Sequence, residues 1–570
     1  MNQTRSFLLI AWLVVAALLW LQWNQPPATA PATAAAANGA PVPTTQTPAT
    51  LPGALPSTLP TAAPGAPAIA TTTAAGSTAR TITLENDVLR LTIDLDGGQL
   101  VGSQLLQYTV EKKAGSPDVE LLSREPARYY TAGAGLIVLD GQQRERVLDE
   151  RFQSEGQGNR FALAPGAAQI SVPLTWTDPA TGMTVRRTLT LTRDSYALGM
   201  SEQISNNGAA RQALYPFVDL HRVAPPAPPK HSFLTNPDSF SVVGPAWYSP
   251  EEKYERTRFT AFDSKKPPAS DVSGGWIAML QHHFVVAWLP DAHTPQRFAT
   301  YTQSHDGSPL YVIRSVAAPQ PLLPGTSQTR ESRLWVGPKL QGPLAQLAPG
   351  LEKTVDYSIF AVIAQPLFWL LSWLHRLFGN WGWAIIAIVV LLKAALYPVS
   401  KKQYQSMAKM RQLQPRLEAL KERYGDDRQQ YQMAMMELYK KEKINPVAGC
   451  LPALIPMPIF LALYWVLVET VELRHAPWMG WIQNLTDADP YFVLPALNLL
   501  VMYLTQKLTP TPGMDPMQKK MMQFMPLVFG VMMAFFPSGL VLYWVTNGLL
   551  GLLQQWWMTK QFTLAPTVSR

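Results

Sequence analysis

Long apolar segments near the two ends of the chain limit the possible fold more than any other feature. One occupies residues 7–23, and several more recur through the last ~200 residues. Residues 446–473 and 540–557 are long enough to cross the hydrocarbon core of a bilayer as helices. Only 15% of the residues are charged, against about 25% in a typical soluble domain. Because the middle of the chain has an ordinary composition, the sequence predicts an integral membrane protein with one large water-soluble domain.

Six segments fit membrane-spanning helices. Residues 1–25 predict an uncleaved N-terminal anchor, because the apolar run is longer than the core of about 7–15 residues in a signal peptide. A cleaved signal peptide is the alternative, since small residues follow the run. The other five predicted spans are residues 381–399, 446–473, 491–508, 521–536 and 540–557. Together these five predict a helical core over residues 380–560.

The distribution of positive charge predicts the orientation of these spans. Residues 401–443 contain eleven Lys and Arg against six Asp and Glu, which places this loop in the cytoplasm by the positive-inside rule. Lys507, Lys519, Lys520 and Lys560 lie where the same orientation requires cytoplasmic charge. We therefore expect both termini in the cytoplasm. The net charge of +8 follows from this topology and gives no support to DNA binding.

Residues 80–358 predict a large antiparallel β-sandwich on the opposite, outer side of the membrane; the family resemblance given below implies that this side is the periplasm. Apolar and polar residues alternate at 89–95 and 184–192, as in half-buried strands, and turn signals follow at 96–98 and 206–208. Residues 26–79 are mostly Ala, Pro, Thr and Gly, a composition typical of an extended linker.

The sequence gives no sign of a metal, cofactor or nucleotide site. His282 and His283 lie in an apolar, strand-like run, where a structural or surface role is favoured over a metal site. A zinc-type histidine spacing and a phosphate-binding loop are both missing from the sequence. The single cysteine, Cys450, cannot form an internal disulfide and fits a small buried apolar residue.

Two further helical segments flank the first core span. Residues 365–379 predict an amphipathic helix that begins at Pro366 and lies in the membrane interface through Trp369 and Trp373; a buried helix of the soluble domain is the alternative. Residues 401–445 predict a cytoplasmic helical hairpin with Asp426 as a cap between its helices. The hairpin is either a solvated connector or a docking surface for anionic lipids or a ribosome. Residues 561–570 form a short tail.

Lys393 interrupts the first core span. It lies about 18 Å along the helix from Trp381 and ~9 Å from the predicted cytoplasmic end. A charge at that depth is costly in lipid, so Lys393 either faces a water-filled cavity or extends its amino group to the interface. Four other polar residues share the membrane zone, and with Lys393 they would line a hydrophilic groove: Asn498, Thr505, Thr546 and Asn547. Each of them alone fits a helix-packing hydrogen bond.

Several motifs occur in a fixed order through the second half of the chain. They are Tyr397-Pro398, QYQSMAKMRQLQP at 403–415, INPVAGCLPALIPMPIFLALY at 444–464, FMP at 524–526 and FPSGLVLYW at 536–544. With these motifs the chain resembles the YidC/Oxa/Alb family of membrane protein insertases, in its Gram-negative YidC form. The resemblance implies a non-enzymatic insertase and chaperone of the bacterial inner membrane. Its expected partners are nascent membrane proteins, the Sec translocon, membrane lipids and, through the cytoplasmic hairpin, the ribosome.

The resemblance also implies a site. Family members have a hydrophilic groove open to the cytoplasm and to lipid, with a charged residue, usually arginine, in the first core helix. Lys393 stands at that position, so the charge is kept without the bidentate geometry of a guanidinium. Candidates for the apolar flank along which a client span slides out are Met457, Phe460, Tyr464, Tyr543 and Trp544. Ordinary helix packing is the alternative role for each of these five.

Two other functions compete with insertion. An ion-coupled secondary transporter could use Lys393, Glu469 and Glu472 as a relay. The sequence does not contain the repeated pair of broken helices typical of such transporters, and the two glutamates lie at the outer end of their span, where we expect them to be exposed. A membrane-anchored glycan-processing enzyme could use the β domain, but its sequence shows no convincing carboxylate pair.

Overall fold

The computed structural model describes residues 80–139, 145–156, 158–226, 241–267, 271–424, 427–442, 456–508 and 516–563. The predicted anchor and linker, residue 426, Cys450 and the end of the tail lie outside these residues. Within them a β domain comes first, and a helical region follows it. The predicted β-sandwich is confirmed, and so is the helical second half.

The first sheet has eleven strands. In spatial order its main path is β17 (Gln296–His305), β18 (Ser308–Ala317), β12 (Gln212–Val223), β5 (Tyr130–Leu139), β3 (Leu100–Thr109), β2 (Leu89–Asp94), β1 (Thr81–Glu85) and β8 (Arg160–Ala162). Three short strands pair at its sides: β19 (Gln320–Leu322), β4 (Asp118–Glu120) and β6 (Glu145–Val147). Among the described strands, β1 and β8 pair in parallel, and the other pairs of this sheet are antiparallel.

The second sheet has nine strands. Their order is β14 (Lys253–Arg256), β13 (Gly244–Ser249), β15 (Trp276–Leu280), β16 (Phe284–Leu289), β20 (Ser327–Pro338), β11 (Ala197–Asn206), β10 (Met183–Thr192), β9 (Gln169–Thr177) and β7 (Gln153–Ser154). His282 and His283 lie in the turn between β15 and β16, not in a strand as the apolar run indicated. The predicted alternating segment 184–192 forms most of β10, and every second residue from Met183 to Leu191 is buried.

The inner faces of the two sheets form one hydrophobic core, with Trp247, Trp276 and Trp288 fully buried. A charged cluster lies inside this core. Arg187, which is 1% exposed, donates to Glu202 at 2.7 Å and to Glu150 at 2.9 Å. Its remaining N–H groups reach the carbonyl oxygens of Gly98 and Ala134. A buried guanidinium is tolerated here because each of its three nitrogens has an acceptor.

The helical region contains eight of the nine described α-helices, and α1 (Gln341–Leu347) precedes it. They are α2 (Ala361–Phe378), α3 (Trp381–Ala395), α4 (Tyr397–Tyr424), α5 (Arg428–Lys441), α6 (Pro456–Glu469), α7 (Val493–Leu508), α8 (Pro516–Met533) and α9 (Ser538–Thr563). Short 3₁₀ turns precede α2 at Ser358–Phe360 and follow α6 at Val471–Leu473. By length and apolar composition one described helix, Ser358–Phe378, could cross a membrane, and four others are shorter apolar helices.

Three predicted helix ends were wrong. α2 begins at Ala361, so Pro366 lies inside it; the helix continues because a buried stripe that includes Leu367, Leu371 and Leu374 outweighs the backbone hydrogen bond that proline removes. The first core helix ends at Ala395, and α4, the first helix of the predicted hairpin, already begins at Tyr397. The cap of α5 is Asp427, whose side chain accepts from the N–H groups of the first turn. The position of α2 in the membrane interface stays a prediction.

The charged cluster makes the stability of the β domain depend on pH. Burial is the main cause that raises the pKa of Glu150 to about 7, and the nearby charge of Glu202 raises it further, although Arg187 opposes both. Burial also favours neutral Glu202, but Arg330 and Arg187 together outweigh burial and lower its pKa. A carboxyl group whose pKa is higher in the folded protein makes its full contribution to the stability of the fold below the pKa that it has in the unfolded chain. This contribution is lost as the pH rises through the pKa of the folded state.

We therefore expect Glu150 to lower the free energy of unfolding of the wild type by up to about 3 kcal/mol between about pH 4.5 and 8. Glu150→Gln should remove this part of the decline. The measurement is urea unfolding of the full-length protein in detergent, followed by tryptophan fluorescence across this pH range. The difference between wild type and variant isolates Glu150 from other titrating groups. Equal pH slopes for the two proteins would show that Glu150 titrates normally.

Candidate functional site

The helices of the core pack in an open series. α2 packs against both α6 and α3, α3 against α9, α9 against α7, and α7 against α8. The ends of the series are α6 and α8, and an aromatic cluster lies between them. The ring of Phe460 on α6 lies 4.6 Å from that of Trp544 on α9, which in turn lies 5.3 Å from Phe529 on α8. The two ends of the series are therefore linked through aromatic side chains on α9, and we call the region between α6 and α8 the cleft.

Lys393 is half-buried on α3, and its amino group faces α9. A Cβ atom placed on Gly551 would lie 3.3 Å from Lys393 Nζ. The hydroxyl of Tyr404, at the start of α4, donates to the carbonyl oxygen of Gly551 at 3.2 Å. Among the described residues, no carboxylate forms an ion pair with Lys393. The absent side chain of Gly551 thus makes room for a cation that no described carboxylate neutralises.

Polar residues recur on α9 along the face that carries Gly551. Asn547 lies one turn before this glycine, and Gln554 and Gln555 lie one turn after it. Gln555 is buried, and the side-chain oxygen of Gln554 is buried without a hydrogen-bond partner among the described residues. Our sequence analysis missed Tyr404, Gly551 and both glutamines. The i, i+4, i+7 and i+8 spacing from Asn547 was a signal that could have found the last three.

The four polar residues predicted for the groove occupy different environments. Asn547 is half-buried on the face of α9 described above. Thr546 and Asn498 are buried, and the amide of Asn498 donates weakly to the sulfur of Met502. The hydroxyl of Thr505 donates to Val501 in its own helix at 2.8 Å. The structure therefore brings Asn547 nearest to the face that meets Lys393, whereas Asn498 and Thr505 bond within α7.

The five residues predicted for the apolar flank also differ in position and burial. Met457 is 44% exposed at the start of α6, and Phe460 and Tyr464 follow it on the same helix, partly buried. Trp544 is partly buried as well, and its indole N–H has no partner among the described residues. Tyr543 is only 4% exposed and packs in the helical core. Met457, Phe460 and Tyr464 thus form a single line along one end of the open series.

The outer end of the bundle, next to the β domain, is closed by the loop between α6 and α7. Asn380 caps α3 and donates to the carbonyl oxygen of Trp478 at 2.9 Å. The carboxylate of Asp489 accepts from the N–H of Leu494 at the start of α7. The hydroxyl of Ser538, the first residue of α9, donates to the carbonyl oxygen of Asn484. Three helices are therefore tied together on this side by one loop.

Comparisons with known proteins agree with this architecture. The family profile described as 60Kd inner membrane protein matches residues 373–565, and that of the YidC periplasmic domain matches residues 81–370. The membrane protein insertase YidC of Stenotrophomonas maltophilia is 52% identical over 98% of this chain and 97% of its own length. That of Xanthomonas campestris pv. campestris is 52% identical over 100% of this chain and 99% of its own.

Solved structures show weaker likeness. A crystal structure of an active YidC insertase with its first transmembrane domain resolved has a TM-score of 0.37 and 17% identity, and the match covers 84% of this chain and 92% of that one. A galactose mutarotase related enzyme from Lactobacillus acidophilus has a TM-score of 0.30 and 11% identity, covering 45% of this chain and 97% of that one. Likenesses of this strength carry no argument about function.

The profiles and the near full-length relatives define the class of this protein: it is a membrane protein insertase, not a catalytic enzyme, of the inner membrane with a periplasmic domain. The chain belongs to the YidC family. The assignment to the insertase family made from the sequence is confirmed. The comparisons do not support the two alternative hypotheses, an ion-coupled transporter and a glycan-processing enzyme.

The space at Gly551 leads to a prediction about Lys393. Gly551→Leu should fill the space beside Nζ and move the amino group towards solvent, whereas Gly551→Ala should be tolerated because the end of a lysine side chain moves easily. We expect amine-specific labelling of Lys393, mapped by mass spectrometry in detergent, to rise severalfold in the leucine variant only. Leu549→Ala on an exposed face of α9 is the control. Unchanged labelling in Gly551→Leu would mean that Gly551 does not set the position of Lys393.

Proposed function

We propose that this insertase moves clients through a hydrophilic groove in which Lys393 is the charge that meets them. The polar tail of a client resists entering the bilayer because its backbone and side chains lose water. A hydrated groove that reaches part-way through the membrane shortens the dry path. The observation that carries the proposal is the amino group of Lys393, half-buried among apolar helices and without a carboxylate partner among the described residues.

An ammonium that no described carboxylate pairs with attracts acidic residues of an incoming tail. The attraction is stronger than in bulk water because the effective dielectric constant beside apolar helices is lower. Asn547 and Gln554, on the face of α9 next to Gly551, supply hydrogen-bonding groups that keep this region wet. Tyr404 fixes the start of α4 beside the same glycine.

The apolar span of the client leaves by the cleft between α6 and α8. Met457, Phe460 and Tyr464 form one side of this path, and the outward face of α8 forms the other with Phe524, Val528 and Val531, all more than half exposed. Flexible methionine and broad aromatic side chains adapt to clients of different sequence. Trp544, between the two sides, offers an indole N–H without a partner among the described residues.

The wider setting of the protein belongs to the same proposal. We place both termini in the cytoplasm, because the basic residues of α4 and α5 fit that side. The hairpin of α4 and α5 is closed by Arg416 and Glu442, which pair at 2.6 Å, and its basic surface suits a ribosome or anionic headgroups. Clients arrive as nascent chains, either alone or from the Sec translocon.

The test is insertion of a small client with an acidic periplasmic tail in cells depleted of their own insertase. We expect Lys393→Arg to rescue insertion, because the guanidinium keeps the charge. Lys393→Ala and Lys393→Glu should insert this client about tenfold less, as the loss of about 1.4 kcal/mol predicts. Protease protection of the tail is the readout.

The matched control is the same client with a neutral tail, which all four proteins should insert to similar extents. Lys401→Ala, a lysine on the exposed surface of α4, controls for the loss of a positive charge as such. Equal insertion of the acidic client by all Lys393 variants would contradict the role of this charge, and the groove would then act by hydration alone.

A further inference from the structure

The outer end of α6 is buried by the β domain. Glu469, the last residue of α6, is 1% exposed, and Thr470 after it is fully buried. The sequence led us to expect that Glu469 is exposed at the edge of its span. That expectation was wrong because residues distant in sequence fold over it. A glutamate at this position therefore needs partners from the β domain.

Those partners come from separate segments of the β domain. The hydroxyl of Ser241, just before β13, donates to Glu469 Oε1 at 2.9 Å. Nε2 of His282, in the turn between β15 and β16, lies 3.7 Å from the same oxygen. Lys339, which follows β20, is 2% exposed. Burial lowers the pKa of Lys339 to about 8, and the charge of Glu469 opposes this shift.

The residues on either side of Glu469 also make polar contacts with side chains outside the core helices. Nε2 of His283 lies 3.0 Å from the carbonyl oxygen of Val468. The hydroxyl of Tyr357, which follows the β domain in sequence, lies 3.3 Å from that of Thr470. Three consecutive residues, 468–470, thus make polar contacts with side chains from outside the core helices. The contacts fix both the height and the rotation of the end of α6.

α6 needs such a fixed point because it ends the open series of core helices, with α2 as its main packing partner. We propose that Glu469 is a positioning residue: its contacts with the β domain brace α6, and so keep the line of Met457, Phe460 and Tyr464 in place as a client span passes. The inference rests on the proposed role of that line, and it adds a function for the β domain in insertion.

Glu469 Oε2 has no hydrogen-bond partner among the described residues, so a charge on this carboxylate depends on the buried ammonium of Lys339. Removing the ammonium then leaves Glu469 either with an uncompensated buried charge or with a proton that it must take up from solvent, and either costs more than removing both members of the pair. Lys339→Met should therefore weaken the brace strongly. The double variant Lys339→Met/Glu469→Gln should restore it, because the glutamine oxygen still accepts from Ser241.

The first readout is hydrogen exchange of full-length protein in nanodiscs, in peptides that cover residues 466–474. We expect exchange there to rise at least tenfold in Lys339→Met and to return to within about twofold of wild type in the double variant. Ser241→Ala, a smaller change, should give an intermediate increase. Lys353→Met, a lysine on the exposed surface of the same domain, is the matched control and should leave exchange unchanged. Tryptophan fluorescence checks that the β domain stays folded.

The second readout is insertion of two clients that differ only in the charge of their tails. Lys339→Met should reduce insertion of the acidic and the neutral client alike, by three- to tenfold, and the double variant should recover both. This pattern differs from that of Lys393→Ala, which affects the acidic client alone, so failure of either proposal can be told from failure of the other. The brace is overturned if exchange at residues 466–474 stays at the wild-type rate, or if it rises while both clients insert normally.

Discussion

Taking a charge out of water costs several kcal/mol unless another group compensates it, and three of the charged side chains that this fold removes from water, wholly or in part, have contrasting surroundings. Arg187 lies in the core of the sandwich with two carboxylates and two carbonyl oxygens around it. Lys393 lies among apolar helices, next to a glycine. Glu469 lies where the β domain meets α6. The surroundings of each charge are the basis for the role that we assign to it.

Arg187 and Lys393 differ in that we assign a structural role to the first charge and a functional role to the second. The fold supplies acceptors for Arg187, so its charge is compensated within the β domain and helps to hold the two sheets together. Lys393 has room and polar neighbours but no described carboxylate partner, and we therefore propose that its charge interacts with acidic residues of a client. A flexible ammonium also suits clients whose acidic residues arrive at different heights, whereas a planar guanidinium favours a fixed bidentate geometry.

The sequence predicted what depends on local periodicity. The alternation at 184–192 became β10, and the apolar runs became helices close to the predicted bounds. It could not predict features that depend on close approach of distant segments. Gly551 matters because Lys393 reaches it from another helix, and Glu469 is buried because Ser241 and His282 fold over it. Local rules also misplaced the start of α2, since packing of a buried stripe outweighed the signal of Pro366.

α6 connects the β domain with the aromatic cluster of the helical core. At its outer end Glu469 contacts the β domain, and further along the helix Tyr464 and Phe460 face the other end of the open series. A helix that packs mainly against one neighbour is free to move sideways, which a client leaving the groove requires, but it must return to its place. A polar contact at one end supplies a pivot without filling the cleft. In the mechanism that we propose, the β domain contributes to insertion through its contact with α6, although its core shares no residue with the proposed groove.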